Sequence, residues 1–202
     1  MGNFHYLVAG LPDISTSWKG GDAPLVAAIE EIHANCSKAE LKIVELMDRG
    51  LSAEGLDASF YREAASCRNS FVRDWFAFDL AVRNAKVRYL NSQLGRPADK
   101  DVVILEDEAS VPEFAEAAKT ASVLASGDIL SRERGLDDLY WAKASELTTF
   151  DYFNLNTVLA FLAKASIIRR WLLLDEETGR ELFKKLVEEV RGTFSGVKYE
   201  EK

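Results

Sequence analysis

The stretch FDYFNLNTVLAFLAKASIIRRWLLLDEE, Phe150 to Glu177, decides the fold class. Asn154 or a neighbour can cap a helix there. Leu155, Leu159, Leu162, Ile168 and Leu172 then recur at helical spacing and fill a broad apolar face. The polar side carries Lys164, Arg169 and Arg170, and Trp171 follows at once. Two readings stay open. It is a core helix with a solvated cationic strip, or a helix that grips a partner, since Arg and Trp are enriched at interface hot spots. Asp175 to Gly179 dents the pattern. Leu182, Phe183, Leu186 and Val190 extend it to Gly192, and the tail SGVKYEEK reads as frayed.

A second seam lies earlier in the chain. Asp57 opens it, and Phe60, Ala64, Cys67, Phe71, Trp75, Phe78, Val82, Ala85 and Tyr89 follow at steps of three and four, until Gly95 and Pro97 stop it. That spacing predicts one helix of roughly eight turns. Such a helix exceeds the globular average of about 11–12 residues and suits bundles, coiled coils or elongated scaffolds. Arg73, Arg83, Lys86 and Arg88 decorate it, and Asp79 stands four residues before Arg83, the spacing of an intrahelical pair.

Shorter elements fill the rest. FHYLVAGL (Phe4–Leu11) is apolar and compatible with either a strand or a buried helix. Pro12, Asp13 and Gly20-Gly21 mark turns. Leu25, Ile29 and Ile32 predict a helix ending near Asn35. Ser37 and Glu40 form a capping box for the next helix, with Leu41, Val44 and Met47 on its apolar side and Gly50 as its stop. RPADKDVVILEDEA, 96–109, reads as a linker. Ser110, Pro112 and Glu113 start a helix bearing Ala115, Ala118 and Val123 on one side. Breaks are expected around Gly127 and Gly135, with a helix over Leu136–Leu147. FDLAVRNAKVRYL (Phe78–Leu90) weakly echoes FNLNTVLAFLAKASIIRRWL (Phe153–Leu172), as duplicated helical hairpins would. The expected architecture is all-α, a long-helix bundle. It forms one domain over 1–202, or two helical subdomains, about 1–95 and 110–192, joined by 96–109.

Composition narrows the function classes. The 202 residues are 48% hydrophobic, enough for a core, and only 4 are Pro and 12 Gly, which permits long uninterrupted helices. A net charge of -8 opposes generic nucleic-acid binding, which needs clustered Lys and Arg. Cys36 and Cys67 lack C-x-x-C spacing and read as buried free thiols in a reducing compartment. MGNFHYLVAGLPDIS has no basic residues ahead of its apolar run, unlike a signal peptide. No apolar run approaches the roughly 20 residues that span a bilayer. The expectation is a cytoplasmic protein that sits at most beside a membrane. His5 and His33 have no ligand spacing, and no H-E-x-x-H, Walker A, G-x-G-x-x-G or G-x-S-x-G motif occurs. The acid runs Glu106-Asp107-Glu108, Asp137-Asp138 and Asp175-Glu176-Glu177 read as solvated charge. No cofactor, metal or catalytic group is predicted, so the chain is not expected to be an enzyme.

Three segments carry resemblances. NFHYLVAGLPDI resembles the Tyr-x-Leu-Val-Ala-x-Leu-Pro-Asp/Glu opening of the DUF2764 family, whose genes typically sit among those for V-type ATP synthase subunits in Bacteroidetes and related bacteria. WFAFDLAVRNAKVRYLNSQLG resembles that family's Phe-x-x-x-Asp/Asn-x-x-x-Arg-Asn segment. VLAFLAKASIIRRW is similar to the aliphatic-aromatic-x-x-Lys-x-x-x-Ile-x-Arg segment of the C-type central-stalk subunit of V/A-type ATPases, called the d-type subunit in eukaryotes. The likeness to the C-type subunit covers only the two long helices. That subunit is also longer, built of three similar helical subdomains, and this chain would lack about one.

The resemblance implies a non-catalytic subunit or accessory of a bacterial V/A-type ATP synthase, an enzyme coupled to proton or sodium transport. Its partners would be the central-stalk rotor and the membrane proteolipid ring, with the protein peripheral to the inner membrane face. Phe78, Arg83, Asn84 and Arg88 on one helix, and Lys164, Arg169 and Arg170 on the other, are the candidate partner contacts; the alternative is that they buttress the two helices internally. The rival functions are an assembly or adaptor protein for the rotary ATPase, and a helical hydrolase using loop carboxylates such as Asp107 or Asp138.

Overall fold

The computed structural model describes residues 4–52, 54, 56–105, 114–174, 180, 184, 185 and 187. Among them the regular structure is entirely helical: α1 (Phe4–Gly10), α2 (Ala23–Asn35), α3 (Lys38–Leu51), α4 (Ala58–Ser66), α5 (Ser70–Gln93), α6 (Ala117–Leu124), α7 (Ile129–Glu146) and α8 (Leu155–Leu172). The ambiguous FHYLVAGL stretch is therefore helical.

Local chemistry sets most starts. Ser37 and Glu40 close a reciprocal box, Ser37 N–H donating to Glu40 Oε2 at 2.8 Å and Glu40 N–H to Ser37 Oγ at 3.4 Å. Asp57 accepts from Phe60 N–H, Asn69 from Val72, Asp128 from Ser131 and Asn154 from Thr157, at 2.7–3.1 Å. Each satisfies an amide that the first turn leaves unpaired.

Several expectations give way. The Asp57–Gly95 seam is two helices. Cys67 is extended (φ -62°, ψ 138°), Asn69 caps afresh, and α4 ends at Ser66 while α5 begins at Ser70. The apolar spacing survives the break because both helices turn that face to the same core. Gly50 is the next-to-last residue of α3, which ends one residue on at Leu51, whereas α7 runs straight through Gly135. Both glycines serve packing: a Cβ at Gly50 would strike the Phe76 and Phe60 rings, and one at Gly135 would come within 2.8 Å of Val123 Cγ1 on α6. The start expected at Ser110–Glu113 falls outside the described residues, and α6 begins at Ala117. The extension from Leu182 to Gly192 also falls largely outside them. The echo does not hold in space: Phe78 is mid-helix and buried, whereas Phe153 precedes the Asn154 cap and is half exposed.

The core closes on α8. Val158, Leu159, Phe161, Leu162 and Ile168 are buried there, each contributing roughly 1.5–3 kcal/mol of transfer free energy. Around them sit Leu25 and Ile32 of α2, Val44 and Met47 of α3, Phe60 of α4, and Phe71, Trp75 and Phe76 of α5. A smaller cluster joins Phe78 and Val82 of α5 to Leu124 and Leu136 of α6 and α7. The main core thus draws on chain from both sides of 96–109. That stretch is itself strapped to α5: Asn91 Nδ2 donates to the carbonyls of Ala98 (3.1 Å) and Lys100 (2.7 Å). Asn84 pairs with both backbone groups of Val103, at 2.8 and 3.1 Å.

Candidate functional site

The cations of α8 do not stand free. Arg169 Nε donates to Asp22 Oδ1 at 2.7 Å, and Asp22 is the residue before α2. Arg170 Nη2 and Trp171 Nε1 donate to the two oxygens of Asp137, a buried residue of α7. The Arg134 guanidinium lies 3.8 Å over the Trp171 ring. Lys164 Nζ sits 5.3 Å from the Trp141 ring, and burial pulls its pKa down. The cationic strip is therefore a brace onto α2 and α7, not onto α5.

The candidates on α5 are engaged as well. Phe78 is buried, edge-on to Tyr140 at 5.4 Å and to Phe114 at 6.1 Å. Arg88 pairs with Asp99 at 2.8 Å, and Asn84 holds Val103. Arg83 Nε donates to Asp79 Oδ2 at 2.8 Å, as its spacing predicted.

Asp79 is the centre of a cluster that the spacing did not predict. Its carboxylate is buried and accepts from Tyr61 of α4 at 2.7 Å and Tyr140 of α7 at 2.8 Å, besides Arg83. Burial first, and the adjacent carboxylate charge second, push both tyrosine pKa values up, so the hydroxyls remain donors. Burial works against the Arg83 charge, but Asp79 outweighs it and the pKa rises. Three donors on one buried carboxylate bind α4, α5 and α7 together. Sequence offered only the Asp79–Arg83 half, because the tyrosines stand 18 and 61 residues away.

Two surfaces stay open. Tyr6 of α1 and the α7–α8 loop residues Phe150, Tyr152 and Phe153 are 67%, 88%, 69% and 48% exposed, and His5 stacks on Phe153 at 4.6 Å. On another face, α5 floors a groove of about 1310 Å³ walled by α4, α6 and residues 103–105. Among the described residues no three His, Cys, Asp or Glu side chains converge as a metal site. Cys36 and Cys67 are free, and half-buried rather than buried; burial raises the Cys36 pKa.

Among the described residues these features define an all-helical body cross-braced through two buried carboxylates, with an aromatic end and a long groove. The family model described as "Protein of unknown function (DUF2764)" matches residues 45–193, and the chain belongs to that family. The match takes in α4 to α8 whole and begins beyond the NFHYLVAGLPDI opening. No curated protein and no solved structure matches the chain.

Proposed function

We propose that this protein is a non-catalytic subunit or accessory of a bacterial V/A-type ATP synthase, similar in role to the C-type central-stalk subunit. It would stand between the rotor and the proteolipid ring. The observation that carries this reading is the place of VLAFLAKASIIRRW, the segment similar to the C-type subunit. It forms most of α8, the helix that touches α1, α2, α3, α5 and α7 and is pinned at its last turn to Asp22 and Asp137. A part that carries torque without chemistry needs stiff elements locked to one another, and close-packed interiors of low compressibility transmit strain. DUF2764 membership supports the reading through the expectation that genes of that family sit among those for V-type ATP synthase subunits.

Among the described residues no helix is long and apolar enough to cross a membrane, so contact with the ring would run through protein surface. The exposed aromatic end, Tyr6 with Phe150, Tyr152 and Phe153, has the composition of an interface core. The test is purification of the synthase from membranes by a tag on this chain at its native locus, with quantitative mass spectrometry of the product. Stoichiometric presence in the assembled enzyme, lost with Phe150→Glu and Tyr152→Glu, supports a permanent component. Presence on subassemblies alone identifies an assembly adaptor, and absence from both ends the rotary reading.

A further inference from the structure

We propose that the groove on α5 is the docking site for one amphipathic helix of another protein, a helix whose polar face is acidic. Shape gives the first reason. The lining of α5 runs from Arg73 to Ser92, about 28 Å at 1.5 Å per residue. The groove's 1310 Å³ is more than the roughly 300–1,000 Å³ of a small-molecule pocket. Half of a cylinder about 10 Å across and about 28 Å long occupies about 1,100 Å³, which is a helix laid in to half its depth.

The floor is the second reason. Ala77, Ala81 and Ala85 recur every four residues along α5, and Ala117 and Ala121 face the groove from α6. Small side chains let an incoming helix approach closely and fill the space with its own larger apolar residues.

Charge selects the partner. In a chain of net charge -8, the described residues lining this groove include Arg62, Arg73 and Arg88 and no Asp or Glu. Arg62 has no ion-pair partner among the described residues, and Arg73 donates only to the carbonyls of Cys67 and Arg68, both at 3.0 Å. Arg88 holds Asp99, whose side chain is 70% exposed. Arg73 and Arg88 are fifteen residues apart on one helix, about 22 Å. A single lipid headgroup cannot meet both, whereas acids about four turns apart on a bound helix can. This inference is independent of the rotary reading, since it names the chemistry of the partner and not the complex that supplies it.

The probe is a synthetic 20-residue helix with Leu and Ala on one face and Glu on the other, measured by fluorescence anisotropy against the full chain. A copy with Lys in place of Glu is the control. The Glu-faced peptide is expected to bind, more weakly as salt rises. Arg62→Glu with Arg73→Glu, or Ala81→Trp in the floor, should each weaken it at least tenfold. Ala121→Trp on the exposed wall repeats the block where Ala81→Trp fails to fold, with thermal melts confirming the fold of each variant. Failure of the Glu-faced peptide to bind, equal binding of the Lys-faced one, or indifference to these variants overturns the proposal. So does a dimer that Ala121→Trp disperses, which makes the occupant a second copy, or a co-purifying lipid seen by native mass spectrometry. Binding that requires Glu106, Asp107 and Glu108 to be changed to Gln also overturns it, by making the chain's own acid run the occupant.

Discussion

Arg169 of α8 and Asp22 at the start of α2 share a two-point contact, Nε to Oδ1 at 2.7 Å and Nη2 to Oδ2 at 3.4 Å, across 147 residues of sequence. The contact anchors the last turn of α8 to the first turn of α2. Both side chains are more than a third exposed, at 37% and 40%, so solvent screens most of the attraction. Arg169→Ala and Asp22→Ala should therefore each cost only about 0.5–1 kcal/mol, and the double variant little more than either. Urea titration of the four proteins measures it. A coupling well above 1 kcal/mol would show that the pair behaves as a buried one.

Asp79 contrasts with that pair because it is 5% exposed and holds three donors. Removing it leaves the Tyr61 and Tyr140 hydroxyls without their acceptor, while the Arg83 side chain, 49% exposed, can turn to water. With two buried hydroxyls left unsatisfied, Asp79→Ala should cost about 2–4 kcal/mol. Tyr61→Phe, which removes one donor and keeps the ring, should cost about 1–2 kcal/mol. Chemical denaturation of both variants tests the order; near-equal losses would mean that packing, not the polar cluster, sets the energy.

The same cluster predicts alkaline sensitivity. Tyr61 and Tyr140 have folded-state pKa values above the ordinary value near 10, from burial and then from Asp79. Below about pH 10 both states keep these protons and the full contribution is present. Above it the unfolded chain releases them first, so stability falls as pH rises toward the folded values. Melting temperatures should hold between about pH 8 and 9 and decline from about pH 10 to 11, and Tyr61→Phe with Tyr140→Phe should flatten the decline. An unchanged slope in the double variant would place the sensitivity elsewhere.

What was legible in the chain was local. The Ser37–Glu40 box, the Asp57 and Asn154 caps and the Asp79–Arg83 pair each lie within four residues, and short spacing is what a sequence displays. The break at Cys67 was hidden because α4 and α5 share one apolar phase; Asn69, with its amide also donating to Asn156 at 2.8 Å, was the available signal. The partners of Arg169 and Arg170 stand 147 and 33 residues away, and periodicity carries no information about such distances. The groove was illegible for the same reason, since its walls come from α4 and α6 on opposite sides of α5 in the chain.

Gly50 separates a stop signal from a packing requirement. As a surface stop, Gly50→Ala would be neutral or would gain up to about 1 kcal/mol of helix propensity. Its place against α4 and α5 reverses that sign. An added methyl would run into the rings of Phe76 and Phe60, which pack edge to face with centroids 4.9 Å apart and are 2% and 3% exposed. Neither ring has a solvent side toward which to move, so α3 must shift from α4 and α5. Overpacking of this kind costs about 1–3 kcal/mol, which exceeds the propensity gain. Gly50→Ala should therefore lower stability by roughly 1–2 kcal/mol net. Phe76→Leu, which shortens the opposing side chain, should recover part of the loss when combined with it. Thermal denaturation of the single and double variants reads both effects, and a stabilised Gly50→Ala protein would return Gly50 to a plain helix end.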